Sequence, residues 1–334
     1  MPLQIPPSYR PELDLMQTQI AIKEVKDFFQ HTLADILSLT RVTAPLLVSP
    51  ESGLNDNLNG VERPVRFDVR ETGAEYEIVH SLAKWKRYAL GRYGFAPGQG
   101  LYTDMNAIRR DEDTDNLHSI YVDQWDWEKV ISPAERNQET LRCAVENIYR
   151  VMRSTETYVA AKYPMLRPIL PPDIFFVTAQ ELEDQYPDLT PHQREETVCR
   201  EHGAVFIQGI GGRLRSGKPH DGRAPDYDDW SLNGDIMVDY PLLGSCIELS
   251  SMGVRVDAGT LRAQLLERGC ADRAQLPFQK ALLDGELPQT IGGGIGQSRL
   301  CMFFLRKAHI GEVQSSVWPQ DTLRLCAESG IPLL

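Results

Sequence analysis

Thr290-Ile-Gly-Gly-Gly-Ile-Gly-Gln-Ser-Arg299 packs four glycines into five residues and sets an arginine where a helix is expected to begin. Glycine lets backbone approach a flat ligand closely, because no side chain stands between them. An arginine just beyond can stack on an aromatic face or grip phosphate with its planar fork. Read this way, the segment is a glycine-rich loop forming the floor for a nucleotide base, with a cation closing over it. It also reads as a turn between strand and helix that merely needs glycine, and the segment alone leaves both readings open. A dinucleotide fingerprint is excluded, because Arg299 stands where a third glycine is needed and Pro288-Gln289 precedes the glycines in place of a strand. A phosphate loop at Gly212–Lys218 is excluded too: Pro219 follows the lysine, leaving no hydroxyl for a metal and a poor start for a helix.

Outward from that stretch the periodicity predicts the rest. Ile22, Val25, Phe29, Leu33 and Ile36 recur at helical spacing, so Met16–Leu37 is an amphipathic helix. Val42–Val48 is extended, and Pro45 confines it to an edge or a bulge. Glu75–Val79 and Ser119–Trp127 read as strands, the second placing Val122, Gln124 and Asp126 on one face and Trp125 and Trp127 on the other. Ser132-Pro133 opens a long helix reaching Val159. Ile174–Val177, Ala204–Ile207, Asp235–Val238 and Ile247–Leu249 are further strands, and Gly296–Lys307 is a closing helix. Strands cluster without regular alternation with helices, which predicts an α+β protein with a mostly antiparallel sheet rather than a doubly wound fold. No repeat or linker divides residues 1–334, so one catalytic domain is expected.

The chain has 334 residues, 42% hydrophobic and 25% charged, enough for a substantial core. A formal net charge of −12 argues against broad nucleic-acid or membrane binding, while leaving room for a small anionic ligand in a local basic pocket. Six scattered cysteines without a C-x-x-C pair suit a reducing compartment, and the N-terminus lacks a signal peptide, so the protein is expected to be cytoplasmic.

Four further segments carry candidate chemistry. Ser81, Lys84, Lys86 and Arg87 follow a strand as a basic cluster with a hydroxyl, suited to a carboxylate or phosphate and equally to a solvated helix face. Arg109 runs into Asp111-Glu112-Asp113, a binding arginine or a charged turn. Gln124 and Asp126 on an inward strand face need polar partners, which a ligand would supply; on an edge strand their face would meet water instead. Asp235 and Glu248 on neighbouring strands could hold Mg²⁺ through oxygen ligands, or pair with Arg255.

Together these runs resemble the class II aminoacyl-tRNA synthetase superfamily and, within it, the ammonia-dependent asparagine synthetases, or aspartate–ammonia ligases. The runs are Leu54–Gly60, Val79–Arg87, Gly100–Thr103, Tyr121–Trp127, Arg223–Trp230, Glu248–Arg255 and Gln289–Arg299, spread over nearly the whole chain. The resemblance implies a core of antiparallel strands flanked by helices, in a homodimer built partly around the segment preceding Pro45. It implies that L-aspartate, ATP and ammonia give L-asparagine, AMP and pyrophosphate through a β-aspartyl adenylate, with Mg²⁺ as cofactor. Arg109 would hold the α-phosphate and the attacked carboxylate, Arg299 would stack on adenine and reach the phosphates, and Asp235 and Glu248 would bind the metal. Gln124, Asp126 and Asp56 would contact the amino end of aspartate. Ser81, Lys86 and Arg255 would hold its carboxylate side, with Ser250, Ser251 and Gly292 also around the substrate. Tyr227, Leu249, Gly294 and Ile295 would line the nucleotide. Asp56, Asp126 and Asp228 are all candidates to orient ammonium and take its proton.

The nitrogen donor has an independent argument. A built-in glutaminase needs a cysteine nucleophile, yet position 2 is Pro2 and Arg268-Gly-Cys270-Ala-Asp lacks the second glycine of a nucleophile turn, so free ammonia is expected. Two rivals follow from the same runs. A tRNA synthetase proper would need an anticodon-reading module, for which residues 1–50 offer one helix and a strand. A non-catalytic regulator should have lost charge-stabilising residues, whereas Arg109, Glu248 and Arg299 all stand.

Overall fold

A computed structural model describes residues 3–58 and 61–334; Pro2, and Asn59 and Gly60 at the end of the Leu54–Gly60 run, lie outside the described residues. The chain begins with α1 (Leu15–Leu37), β1 (Leu39–Arg41), β2 (Leu47–Val48), β3 (Arg66–Val69), β4 (Ala74–Ile78), α2 (Ala83–Tyr93), β5 (Gly100–Ile108) and β6 (Tyr121–Val130). The middle holds α3 (Gln138–Lys162), β7 (Phe175–Thr178), α4 (Ala179–Gln185), α5 (Pro191–His202) and β8 (Ala204–Gln208). Then come β9 (Asp228–Tyr240), β10 (Ser245–Arg255), α6 (Ala258–Glu267), α7 (Pro277–Leu283), β11 (Thr290–Gly296), α8 (Gln297–Phe304) and α9 (Gln320–Glu328).

Eight strands form one sheet in the order β1-β5-β6-β11-β10-β9-β8-β7, and β2, β4 and β3 form a small one. The five inner pairings of the large sheet are antiparallel; only the two outermost, β1 with β5 and β7 with β8, are parallel. This is the expected α+β, mostly antiparallel architecture. Alternation along β6 decides which face is wet. Trp125 and Trp127 are fully buried on one face, where the Phe29 ring of α1 stacks on Trp125 at 4.8 Å between centroids. α1, α3 and α8 supply the rest of that core through Leu33, Ile148, Met152 and Phe303. Gln124 and Asp126 project from the opposite face into a cleft.

Four expectations need correction. The glycine-rich stretch is neither a loop nor a turn but β11, the strand between β6 and β10. The extended stretch Val42–Val48 is broken: β1 ends at Arg41 and β2 starts only at Leu47, with Pro45 in the gap between them. Ser132-Pro133 opens a single 3₁₀ turn, Pro133–Glu135, and the long helix starts afresh at Gln138, where the Asn137 side chain accepts from Thr140 N at 2.9 Å. Proline suits the first turn of either helix type, so it could not fix which one follows. Finally, Asp235–Val238 and Ile247–Leu249 are only the apolar middles of β9 and β10, whose polar ends pair as well.

Candidate active site

The floor of the site is the triplet β6-β11-β10. All four glycines of β11 have ordinary strand dihedrals, so they are not needed for a left-handed backbone. Three of them, Gly292, Gly293 and Gly294, are needed for room. A Cβ at Gly293 would lie 2.5 Å from Ser251 O, one at Gly294 2.6 Å from Gln124 Oε1, and one at Gly292 2.6 Å from Glu128 Cδ. Side chains from the two neighbouring strands lean across β11, and any third side chain would collide with them.

On the cleft side of these strands lies a buried charge cluster. Arg255 at the end of β10 is bidentate to Glu128 on β6, with nitrogen–oxygen distances of 2.7 to 3.1 Å, and also pairs with Asp228. Thr290 Oγ1 donates to Glu128 at 2.7 Å, and Lys86 Nζ stands 3.2 Å from Asp126 and donates to Gly293 O at 2.8 Å. Burial pushes the Glu128 carboxyl up, but Arg255, Lys86 and Thr290 outweigh it and hold it below the usual range. Burial draws the Lys86 ammonium down despite Asp126. Burial raises Asp228, with Arg255 opposing.

The start of α2 supplies these cations, and its basic cluster is not a solvated helix face. Lys84, Lys86 and Arg87 are each 98% or more buried, with relative exposures of 2%, 1% and 2%. Lys84 pairs with Asp226 at 3.1 Å, while Arg87 donates to the carbonyls of Pro288 and Val256. Beside them Ser81 donates to Asp56 Oδ2 at 2.8 Å, and Asp56 Oδ1 accepts from Leu58 N, so both oxygens of Asp56 are engaged. Asp126 Oδ1 is buried and has no hydrogen-bond partner among the described residues. Tyr227 lines the wall, its hydroxyl pushed well above its usual pKa by burial and by Asp56 and Asp228.

Above the floor the cleft, about 440 Å³, opens between Arg109 and Arg299. That volume falls within the range of small-molecule sites. Arg299 Nη1 lies 3.4 Å from Glu248 Oε2, a loose pair with exposures of 22% and 39%. Burial raises Glu248, yet Arg299, Arg223 and Arg109 together bring it below its usual value.

Asp56, Ser81, Lys86, Arg109, Gln124, Asp126, Tyr227, Asp228, Glu248, Leu249, Ser251, Arg255, Gly294 and Arg299 all line this one cleft. Four other candidates do not. Ile295 stands opposite Trp125 and is buried in the core face, as alternation requires. Gly292 faces Glu128 rather than the opening. Ser250 turns its hydroxyl to Gly294 O at 3.0 Å. Asp235 pairs with Arg223, not Arg255, and lies behind the lining; burial and Glu248 raise its carboxyl to about 7. Two residues without a sequence-assigned role matter here. Glu128 shares the face of Gln124 and Asp126, and the period-two rule would have found it had the strand not been ended at Trp127. Arg223 lay within a quoted run and lines the cleft beside Glu248.

Comparisons with known proteins give the family and the fold. The family model described as aspartate-ammonia ligase matches residues 16–330. Aspartate–ammonia ligases of Clostridium perfringens and Ruminiclostridium cellulolyticum are each 62% identical, over 99% and 98% of both chains respectively. That of Fusobacterium nucleatum is 59% identical over 98% of this chain and all of the other. Among solved structures, the asparaginyl-tRNA synthetase of Pyrococcus horikoshii complexed with asparaginyl-adenylate superposes with a TM-score of 0.65 at 15% identity, covering 90% of this chain and 70% of that one. An aspartyl-tRNA synthetase of Entamoeba histolytica gives 0.59 at 15% identity, covering 89% and 58%. At such identities the structural likeness speaks for the fold alone.

Proposed function

The chain belongs to the aspartate–ammonia ligase family, and on that footing we propose that it makes L-asparagine from L-aspartate, ammonia and ATP, releasing AMP and pyrophosphate. The observation that carries this reading is one cleft joining a buried floor of Lys86, Asp126, Asp228 and Arg255 to two partly exposed arginines, Arg109 and Arg299. The floor suits a zwitterion. Asp126 Oδ1, unpartnered, and Gln124 take the ammonium group of aspartate, while Ser81, Lys86 and the field of Arg255 favour its carboxylate end. The rim suits phosphates, because a fork of donors aimed at developing charge stabilises the transition state.

The side-chain carboxylate of aspartate then attacks the α-phosphorus and pyrophosphate leaves, with Arg109 and Arg299 bearing the charge. Ammonia attacks the acyl carbon of the β-aspartyl adenylate, and the C–O bond to AMP breaks. Ammonium must first lose a proton. Of the three candidate acceptors Asp228 fits best: burial raises its basicity, whereas Asp56 spends both oxygens on Ser81 and Leu58. Magnesium suits two carboxylates here, since Asp235 Oδ1 is buried without a hydrogen-bond partner and Glu248 borders the cleft. Bound between them, it would supply positive charge beside the phosphates.

The same reading makes residues 1–334 one catalytic unit, acting in the cytoplasm as a homodimer through the segment before Pro45. Among the described residues no helix is long and apolar enough to cross a membrane. The deciding assay supplies aspartate, ATP and Mg²⁺ with ammonium or glutamine. Asparagine and AMP with ammonium alone are expected; ADP formation, or amino-acylation of tRNA without ammonium, would overturn the reading. Asp228→Asn should keep aspartate-dependent exchange of pyrophosphate into ATP and lose at least about 10²-fold in asparagine formation, the usual contribution of a positioned proton acceptor. Equal loss of both would move the proton to another group.

A further inference from the structure

Helix α5 packs across β9 and β10, and at that contact three unlike donors converge. His192 and Glu195 are three apart on α5, hence on one helix face, and Cys246 rises from β10 beneath them. One ring nitrogen, one carboxylate oxygen and the Cys246 sulfur all lie within 4.8 Å of one another. We propose that His192, Glu195 and Cys246 form a binding site for one zinc-type dication, separate from the catalytic cleft and from its magnesium carboxylates.

The donor set names the metal class. Magnesium and calcium take oxygen ligands, whereas a mixed set of imidazole, carboxylate and thiolate suits zinc and its first-row neighbours. Three protein donors leave a fourth position for water, and the 44% exposed His192 side chain leaves it reachable from solvent. The surroundings also resemble those of a metal centre. His220, with a fully buried side chain, holds Glu195 Oε1 at 2.8 Å through Nε2, as an outer partner holds a ligating carboxylate. Its Nδ1 is buried with no hydrogen-bond partner. Cys199, one helical turn beyond Glu195 and wholly buried, belongs to the same buried cluster as Cys246. A histidine–glutamate ion pair accounts for His192 and Glu195, and an apolar cluster with Val198, Val205 and Met237 accounts for the two buried thiols; the metal reading rests on the Cys246 sulfur lying within 4.8 Å of both other donors.

Binding exchanges one proton for the metal: the Cys246 S–H bond breaks, sulfur coordinates the dication, and the proton leaves to solvent. The site also touches the cleft mechanically. His220 immediately precedes Asp221, Gly222 and Arg223, which line the cleft, so a metal fixing Glu195 would anchor that strip through His220. Cys246 itself stands two residues before Glu248 on β10, roughly 7 Å along the strand.

The test is a Co²⁺ titration of the full chain, reduced and freed of metal, read by absorbance. One equivalent is expected to bind with a thiolate-to-cobalt charge-transfer band and tetrahedral ligand-field bands, both bleached by Zn²⁺. Cys246→Ser and His192→Ala should each abolish the bands. His220→Gln should weaken binding by about 10–100-fold, the usual effect of losing an outer-shell partner. Cys143→Ser and Cys270→Ser should change nothing. No saturable thiolate band in the wild type, or one that persists in Cys246→Ser, would overturn the proposal. Should Cys246→Ser fail to fold, the surface variant His192→Ala decides alone, and a band that it leaves intact would equally sink the site.

Discussion

Two arginine–glutamate pairs stand close together on the central strands, and they are built to opposite ends. Arg255 and Glu128 are bidentate and all but sealed from water, with Asp228, Thr290 and Lys86 completing their partners. Arg299 and Glu248 meet through one guanidinium nitrogen, 3.4 Å from the Glu248 carboxylate and 3.2 Å from its main-chain carbonyl, on the open side of the same sheet. A buried charge must be fully partnered or it costs several kcal/mol, so the first pair cannot let go without damage to the fold. An exposed pair contributes little to stability, so the second can exchange its partner for a phosphate at small cost. The inner pair fixes the geometry of the floor beneath the substrate; the outer pair holds a cation free to follow it.

The largest expected effect breaks the inner pair. Glu128→Ala leaves Arg255 and Lys86 without their shared carboxylate and should lower stability by about 3–5 kcal/mol, read as a fall in the urea midpoint. A loss below 1 kcal/mol would show that water enters and that the pair is not sealed. Next, Arg299→Ala should leave the urea midpoint within about 1 kcal/mol of wild type. It should nevertheless lower kcat/KM for ATP by about 10²–10³-fold, the usual cost of one charge-stabilising donor. An unchanged response to ATP would assign the rim's work to Arg109.

Crowding above the inner pair gives a smaller effect. Gly292→Ala sets a methyl against the Glu128 carboxylate and should cost about 1–3 kcal/mol by overpacking, again from the urea midpoint. The smallest effect sharpens the comparison with a third way of burying a cationic group. His309, wholly buried, accepts from Gly311 N at 2.9 Å and has its pKa lowered to about 4 by burial. Between about 4 and 6.5 the unfolded chain holds a proton on this ring and the folded chain does not, so stability rises with pH across that window. In His309→Gln the slope of stability between these pH values should be shallower. An unchanged slope would place the acid sensitivity on other groups.

Much of this contrast was legible in the sequence. Alternation in Tyr121–Trp127 separated the tryptophan face from the Gln124 and Asp126 face, and a cluster of glycines announced close approach. The resemblance then gave Arg109 to the α-phosphate and Arg299 to adenine and the phosphates. What was hidden depends on long-range burial. A basic run at the start of α2 looks solvated until β6, β11 and the Asp226 segment are seen to enclose it. Glu128 was missed because the apolar signal fades one residue before it. The metal-type cluster joins residues of α5 and β10, whose meeting no local spacing announces. In the glycine stretch the spacing could not tell a loop from a strand, because either one explains missing side chains.

The place of β11 in the sheet has a consequence for how the chain is made. Its neighbours are β6 on one side and β10 on the other, so it joins β1-β5-β6 to β10-β9-β8-β7. During synthesis both groups of strands leave the ribosome before it does, each with one long edge unpaired and ready to join a neighbouring chain. The two halves wait on a ribbon of seven residues, and until it arrives they are two half-sheets seeking a partner.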